Sequence, residues 1–115
     1  MNESILDTVK KSVGIDPSIN DFDSDLILHI NSVLASLIQI GIGPENGFRI
    51  TDNSQTWSDF LDDDLRIEMV KTYIAVKVRM IFDPPSNSNL MRALEKCCSE
   101  FETRAYMVKE TDNGK

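Results

Sequence analysis

The sequence predicts an all-α protein: a small bundle of about four helices, with a long loop between the second and third helices and a flexible C-terminal tail. Apolar residues recur at helical spacing in four segments, and glycine or proline follows each of the first three. The 115 residues, 41% of them hydrophobic, suffice for one hydrophobic core. We therefore expect one helical domain over residues 1–108 and a disordered tail over residues 109–115.

The first two predicted helices have clear limits. Residues 4–13 place their apolar side chains within about 100° of arc on a helical wheel, and Gly14 ends this short helix. The second helix begins at Asp23, where Asp23 and Asp25 offer capping oxygens and negative charge, and runs to about Ile40, before Gly41. Its apolar positions cover nearly half the wheel, which is typical of a central helix.

The third predicted helix begins between Ser58 and Asp64 and ends before Pro84. It carries two apolar stripes about 140° apart. Since a peripheral helix needs only one, this helix is either sandwiched centrally or shared with a neighbouring subunit. We call the stripes the Met69 stripe (Leu65, Met69, Tyr73, Val76 and Met80) and the Val70 stripe (Ile67, Val70, Ile74, Val78 and Ile81).

The fourth predicted helix starts at Asn87 or Ser88 and is amphipathic, with Leu94 and Phe101 on its apolar face. Between the second and third helices lies the long irregular stretch 41–56. Loops of this length in compact domains are usually functional or mobile.

Charge and cysteine content narrow the class of protein. Twelve Lys and Arg against 19 Asp and Glu give a formal charge of −7, which disfavours a direct grip on nucleic acid. The neighbouring Cys97 and Cys98 form no disulfide framework, and a reducing compartment fits them. No apolar run is long enough to cross a bilayer, and residues 1–11 lack the pattern of a signal peptide.

No residue pattern predicts an enzyme, a cofactor or a metal site. His29 shares a helix face with Asp25, but no further histidine could complete a metal site. The acidic residues around Asp59 lack the spacing and the central glycine of a calcium loop, and we interpret them as charge at a helix start. Trp57 and Phe60 are expected to close the core.

Five motifs then follow one another along the chain. They are Asp21-Phe22-Asp23, Ile40-Gly41-Ile42-Gly43-Pro44, Trp57-Ser58-Asp59-Phe60-Leu61, Val70-Lys71-Thr72-Tyr73-Ile74 and Phe82-Asp83-Pro84-Pro85. Their order and spacing, over roughly residues 5–106, resemble the small head-tail connector proteins of tailed bacteriophages. The last motif, followed by an amphipathic helix, is the most specific of them.

The resemblance implies a structural, non-enzymatic adaptor of the virion. Such a subunit assembles as a ring, twelve-fold in the virion, on the portal protein after DNA packaging. The ring extends the DNA channel and offers an attachment surface to the next head-completion or tail protein. DNA passes through it without sequence-specific binding, no membrane is involved, and the protein occupies the host cytoplasm during assembly and the head-tail interface afterwards.

The resemblance also suggests roles for individual residues. Contacts to neighbouring subunits are expected from Phe48 in the loop and from the Val70 stripe, and contact of the tail with the portal is expected from the family alone. On the Val70 stripe, the contacts are assigned to Ile67, Val70 and Val78. An acidic wall of the DNA channel is assigned to Asp62, Asp63 and Asp64. The core of the subunit is assigned to Leu34, Leu37, Tyr73, Ile74, Leu94 and Phe101.

Two other classes remain open. A free-standing acidic regulator, such as a DNA mimic that inhibits a basic enzyme, would spread its carboxylates over one broad face. Here they are mixed with Lys71, Lys77 and Arg79. A helical nucleic-acid binder would need one undivided basic stripe, which the third helix does not offer.

Overall fold

The computed structural model describes residues 3–61 and 66–113 of the chain, with side chains up to residue 105. Five helices follow in order, and the prediction of an all-α bundle is confirmed: within the described residues the only extended pairing is an isolated bridge between Ser4 and Thr56. The helices are α1 (Ile5–Ser12), α2 (Asp23–Gln39), α3 (Trp57–Phe60), α4 (Ile67–Phe82) and α5 (Ser88–Asn113).

The first two helices lie where the sequence predicts them. Ser4 caps α1 by accepting a hydrogen bond from the Asp7 N–H at 3.2 Å, and Gly14 follows its end with a φ of +82°. Helix α2 begins at Asp23 as expected, although no side-chain capping hydrogen bond is made there. Its buried residues, Leu26, Ile30, Val33, Leu34 and Leu37, form the centre of the core.

The predicted third helix is divided into α3 and α4. Helix α3 is a single turn, fixed by a capping box in which Thr56 and Asp59 each bond the other's backbone N–H. Helix α4 then begins at Ile67 and packs against α1, α2 and α5. Helix α4 is therefore central within the subunit, while Met69 on one of its two stripes stays 50% exposed.

The long loop is held against the core by hydrogen bonds at Ile50 and by the burial of Ile42 and Ile50. Asn31 on α2 donates to the Ile50 carbonyl at 3.0 Å and accepts from the Ile50 N–H at 2.7 Å. Ile42 and Ile50 are buried, and Trp57, also buried, donates its indole N–H to Thr8 at 3.1 Å. The expected core role of Trp57 and Phe60 is confirmed, since both are 2% exposed.

Helix α5 forms an outer layer on α4. It begins at Ser88, as predicted, and is about 39 Å long at 1.5 Å per residue. It continues through Asn113, so residues 109–113 extend the helix where the sequence suggested a tail, and no glycine or proline interrupts residues 86–113. Among its described side chains only Cys98 is buried.

A buried lysine was missed by the sequence analysis. Lys10, on the last turn of α1, is 1% exposed; its ammonium lies 2.9 Å from an Asp23 carboxylate oxygen and donates to the Pro17 carbonyl at 2.9 Å. This pair joins the end of α1 to the start of α2. A basic residue in the last turn of a helix is usually a surface charge, so the residue pattern did not indicate that Lys10 is buried.

Candidate functional site

An apolar groove lies between α4 and α5, with a volume of about 350 Å³. Met69, Tyr73 and Val76 of α4 line one wall, and apolar residues of α5 line the other. Met69 is 50% exposed within it. We call it the α4–α5 groove, and its apolar lining is Met69, Tyr73, Val76, Cys97, Cys98 and Phe101. Glu68, Glu100 and Arg104 supply charge at its edges.

The floor of the α4–α5 groove is rigid because Tyr73 is held from several sides. Its ring stacks on Phe101 with centroids 4.4 Å apart and an interplanar angle of 20°. Its hydroxyl donates to the Glu102 carboxylate, which also pairs with the Lys77 ammonium at 3.1 Å. Burial raises the pKa of Tyr73, and the hydrogen bond to Glu102 raises it further. Tyr73 therefore stays protonated and keeps α5 attached to α4.

The two cysteines are free and differ in exposure. Cys98 is buried and Cys97 is exposed, both beside the α4–α5 groove. Burial raises the pKa of the Cys98 thiol, so this side chain is a neutral thiol at physiological pH and packs as a small apolar group.

The interface residues assigned from the sequence fall into two groups. Val70 and Val78 are fully buried inside the subunit, where α4 packs against its neighbouring helices, whereas Ile81 of the same stripe is 51% exposed. These two side chains therefore have no exposed surface that a neighbouring subunit could contact. Ile67 and Phe48 are half-buried, and the Phe48 ring packs against Phe60 at 5.3 Å between centroids.

The predicted core is found largely in place. Leu34, Leu37, Tyr73 and Ile74 are buried, as expected. Leu94 and Phe101 on α5 are only half-buried, because α5 packs chiefly on α4 and keeps part of its apolar face open.

The structure describes only some of the polar residues singled out from the sequence. Asp62, Asp63 and Asp64 lie outside the described residues. His29 is half-buried on α2. Within residues 3–61 and 66–113, no three His, Cys, Asp or Glu side chains converge as metal ligands would.

A surface ion pair joins Glu3, just before α1, to Lys71 on α4. The Lys71 ammonium lies 2.8 Å from the Glu3 carboxylate and 3.6 Å from that of Glu68. The hydrogen bond from Lys71 holds the pKa of Glu3 below its ordinary value, and the same bond raises the pKa of Lys71.

Across the described part of the chain, none of the helices combines the length and apolar character needed to cross a membrane.

Comparison with known proteins identifies the family. A family model described as phage connector protein matches residues 5–112, which leaves out only the first four and the last three residues. Comparisons with curated proteins and with solved structures gave no significant match. Connectors of this kind are structural components of the phage particle that associate with the portal and other virion proteins. Because the match spans nearly the whole chain, the protein belongs to the phage connector protein family.

Proposed function

We propose that the chain is the subunit of a ring, twelve-fold in the virion, that binds the portal after DNA packaging at the head-tail interface. The ring extends the DNA channel and offers an attachment surface to the next head-completion or tail protein. The observation that carries this proposal is the family match over residues 5–112. A subunit in such a ring must contact its two neighbours through two different surfaces, which repeat around a closed circle.

We propose the α4–α5 groove as one of these two surfaces. Its apolar lining includes the half-exposed Met69, and no further helix of the described part of the chain covers it. A neighbouring subunit would remove this area from water, which is the main favourable term in protein association. Phe48 and Ile67, both half-buried, remain in the proposed interface, whereas Val70 and Val78 contribute only to the subunit core.

We propose an acidic wall for the DNA channel of the ring, because the chain carries a net negative charge. A formal charge of −7 favours a conduit that repels the phosphate backbone and lets DNA slide. We keep Asp62, Asp63 and Asp64 as candidates for this wall. A cryo-EM map of the ring with these side chains on its outer surface would remove that assignment.

The ring is tested by measuring mass with native mass spectrometry over a range of concentrations, for the chain alone and mixed with the portal protein of the same phage. We expect rings that depend on concentration, or a chain that joins the portal in many copies. A chain that ignores the portal and instead captures a basic host enzyme would replace this proposal with an acidic regulator.

The groove is tested by Met69→Lys in the same assay. A charge in the apolar contact should reduce assembly by about tenfold or more. Leu28→Lys is the matched control, because Leu28 is 67% exposed on α2, away from the groove. Equal assembly of both variants would exclude the α4–α5 groove as the contact.

A further inference from the structure

The start of α2 and the end of α4 meet at one end of the bundle. The Phe22 ring, just before α2, packs edge-on against the Phe82 ring, with centroids 5.6 Å apart and an angle of 75°. Phe82 is the last residue of α4, so the connection from α1 and the connection to α5 lie at this same end. We call the surface formed by residues 10–25 and 79–92 the Phe22–Phe82 end.

Exposed apolar side chains concentrate at the Phe22–Phe82 end. Of the six large apolar side chains that the described part of the chain leaves exposed, four belong to these two segments. They are Ile19 at 43%, Phe22 at 43%, Ile81 at 51% and Leu90 at 42%. A group of this kind around an aromatic pair indicates an interaction surface. Leu28, by contrast, has only polar residues one turn before and after it on α2.

Charge at the Phe22–Phe82 end is nearly balanced. Its two segments contain five acidic and four basic residues, and the buried Lys10 pairs with Asp23 at 2.9 Å. The residues are Asp16, Asp21, Asp23, Asp25 and Asp83 with Lys10, Lys11, Arg79 and Arg92. Another copy of this chain therefore meets little net repulsion here, although each copy carries a formal charge of −7.

The α4–α5 groove lies at a different position along the same pair of helices. Its α4 residues fall within the first ten residues of that helix, whereas Phe82 is the last. At 1.5 Å per residue, Thr72 in the middle of the groove wall is about 15 Å from Phe82 along the helix axis. The subunit thus carries an apolar groove toward one end of α4 and a group of exposed apolar side chains at the other.

We propose that the Phe22–Phe82 end of a second copy of this chain occupies the α4–α5 groove. A groove-on-groove contact closes as a dimer and leaves the Phe22–Phe82 end uncovered, whereas a head-to-tail contact covers both apolar surfaces and repeats around a ring. The exposed side chains of one copy supply the apolar area that the groove of the next removes from water. The inference rests on the proposed function, which supplies the ring.

Charged side chains of both signs border the two surfaces. Glu100 and Arg104 are exposed at the edges of the groove, and Asp83 and Arg92 are exposed at the Phe22–Phe82 end. None of these four forms an ion pair with another described residue. Each surface therefore offers a free carboxylate and a free guanidinium, which can pair with their opposites across a contact between copies.

The test mixes two variants of the full chain that each lose a different surface, under conditions in which the parent assembles. Met69→Lys blocks the groove and keeps the Phe22–Phe82 end, and Phe22→Ser does the reverse. Each alone should need about tenfold or more protein to assemble. Mixed in equal amounts, they should form a one-to-one dimer and no ring, because one intact groove and one intact end remain. Native mass spectrometry identifies this pair, and Leu28→Ser, exposed outside both surfaces, should assemble like the parent.

Cys97 allows a second measurement, which holds should Phe22→Ser fail to fold. This thiol is exposed in the α4–α5 groove, whereas Cys98 is buried. Ile19→Cys adds a thiol at the Phe22–Phe82 end, so a short bis-maleimide should join successive copies into a ladder of covalent oligomers. Cys97→Ser in the same chain should abolish the ladder. Asn53→Cys, at an exposed position of the long loop, is the matched control and should give none.

The possible results separate the inference from the proposed function. A parent that assembles while neither the mixed pair nor the ladder forms overturns the inference and leaves the proposed function standing. Dimers of Phe22→Ser alone, or parent copies cross-linked from Cys97 to Cys97, would show a groove-on-groove contact and also overturn it. If the parent forms no oligomer either alone or with the portal protein, the proposed function fails and the inference fails with it.

Discussion

Replacing Gly43 by alanine tests how the long loop is packed against the core. Gly43 has a φ of +109°, a conformation that residues with a side chain rarely adopt. A Cβ added there would lie 2.5 Å from Cε1 and 2.8 Å from Cζ of Phe60, and 3.2 Å from Cγ1 of Ile38. Phe60 is 2% exposed and packs on the Phe48 ring, so it has little room to move away.

Two costs add in this variant. Holding an alanine in the left-handed region costs about 1–2 kcal/mol. Forcing a methyl group into a packed core costs about 1–3 kcal/mol more. We therefore expect Gly43→Ala to lower the free energy of unfolding by about 2–5 kcal/mol, which is a large part of the stability of a domain of this size.

The chain offers a control that separates the two costs. Gly47 lies in the same loop with a φ of +99°, and an added Cβ there would meet no atom within 4 Å. Gly47→Ala should therefore lose only the conformational part, about 1–2 kcal/mol. Urea unfolding followed by circular dichroism measures both variants. Equal losses would refute the steric argument at Phe60, and no loss in either would refute the conformational one.

Two further predictions concern charges. Lys10→Met should lower the free energy of unfolding by about 2 kcal/mol in urea titrations, because it leaves the partly buried Asp23 carboxylate without its counter-charge. A more stable variant would show that the desolvation cost of burying Lys10 exceeds its attraction to Asp23. The pKa of Glu3 is lower in the folded chain than its ordinary 4.5, so the pair with Lys71 contributes fully above pH 4.5 and is lost as pH falls through the lower folded value. Lys71→Met should return the Glu3 titration midpoint, followed by NMR, toward 4.5, and an unchanged midpoint would contradict the assigned cause.

Elements with strong local signals could be predicted from the sequence. Gly14 and Gly41 end their helices, and Pro84 closely follows the end of α4, because each acts on the backbone next to it. Helix α2 begins at Asp23, as the change from turn residues to helical periodicity indicated. The break between α3 and α4 was missed because the apolar period continues across both elements.

Which apolar stripe of α4 is buried and which stays exposed could not be predicted from the sequence. Helix α4 carries two stripes of similar composition, and periodicity alone does not tell which of them faces the core. Val70 and Val78 were assigned to a neighbour, and the structure buries both inside the subunit. Met69, on the other stripe, is the residue left half exposed. Which stripe is covered depends on where the other helices pack, and that is a property of the whole fold.

The core is closed almost entirely by the segments before α5, which explains why apolar surface on α5 stays exposed. Apart from Cys98, every buried apolar residue in the described chain comes from the segments before α5. Helix α5 therefore adds a second layer on α4 without being needed to close the core. In an ordinary bundle its apolar face would be buried, whereas here Leu94 and Phe101 stay half-buried beside an open groove. A formal charge of −7 makes unassembled copies repel one another, which opposes premature contact through these surfaces. In the ring that we propose, the open α4–α5 groove is where a neighbouring subunit is expected to pack.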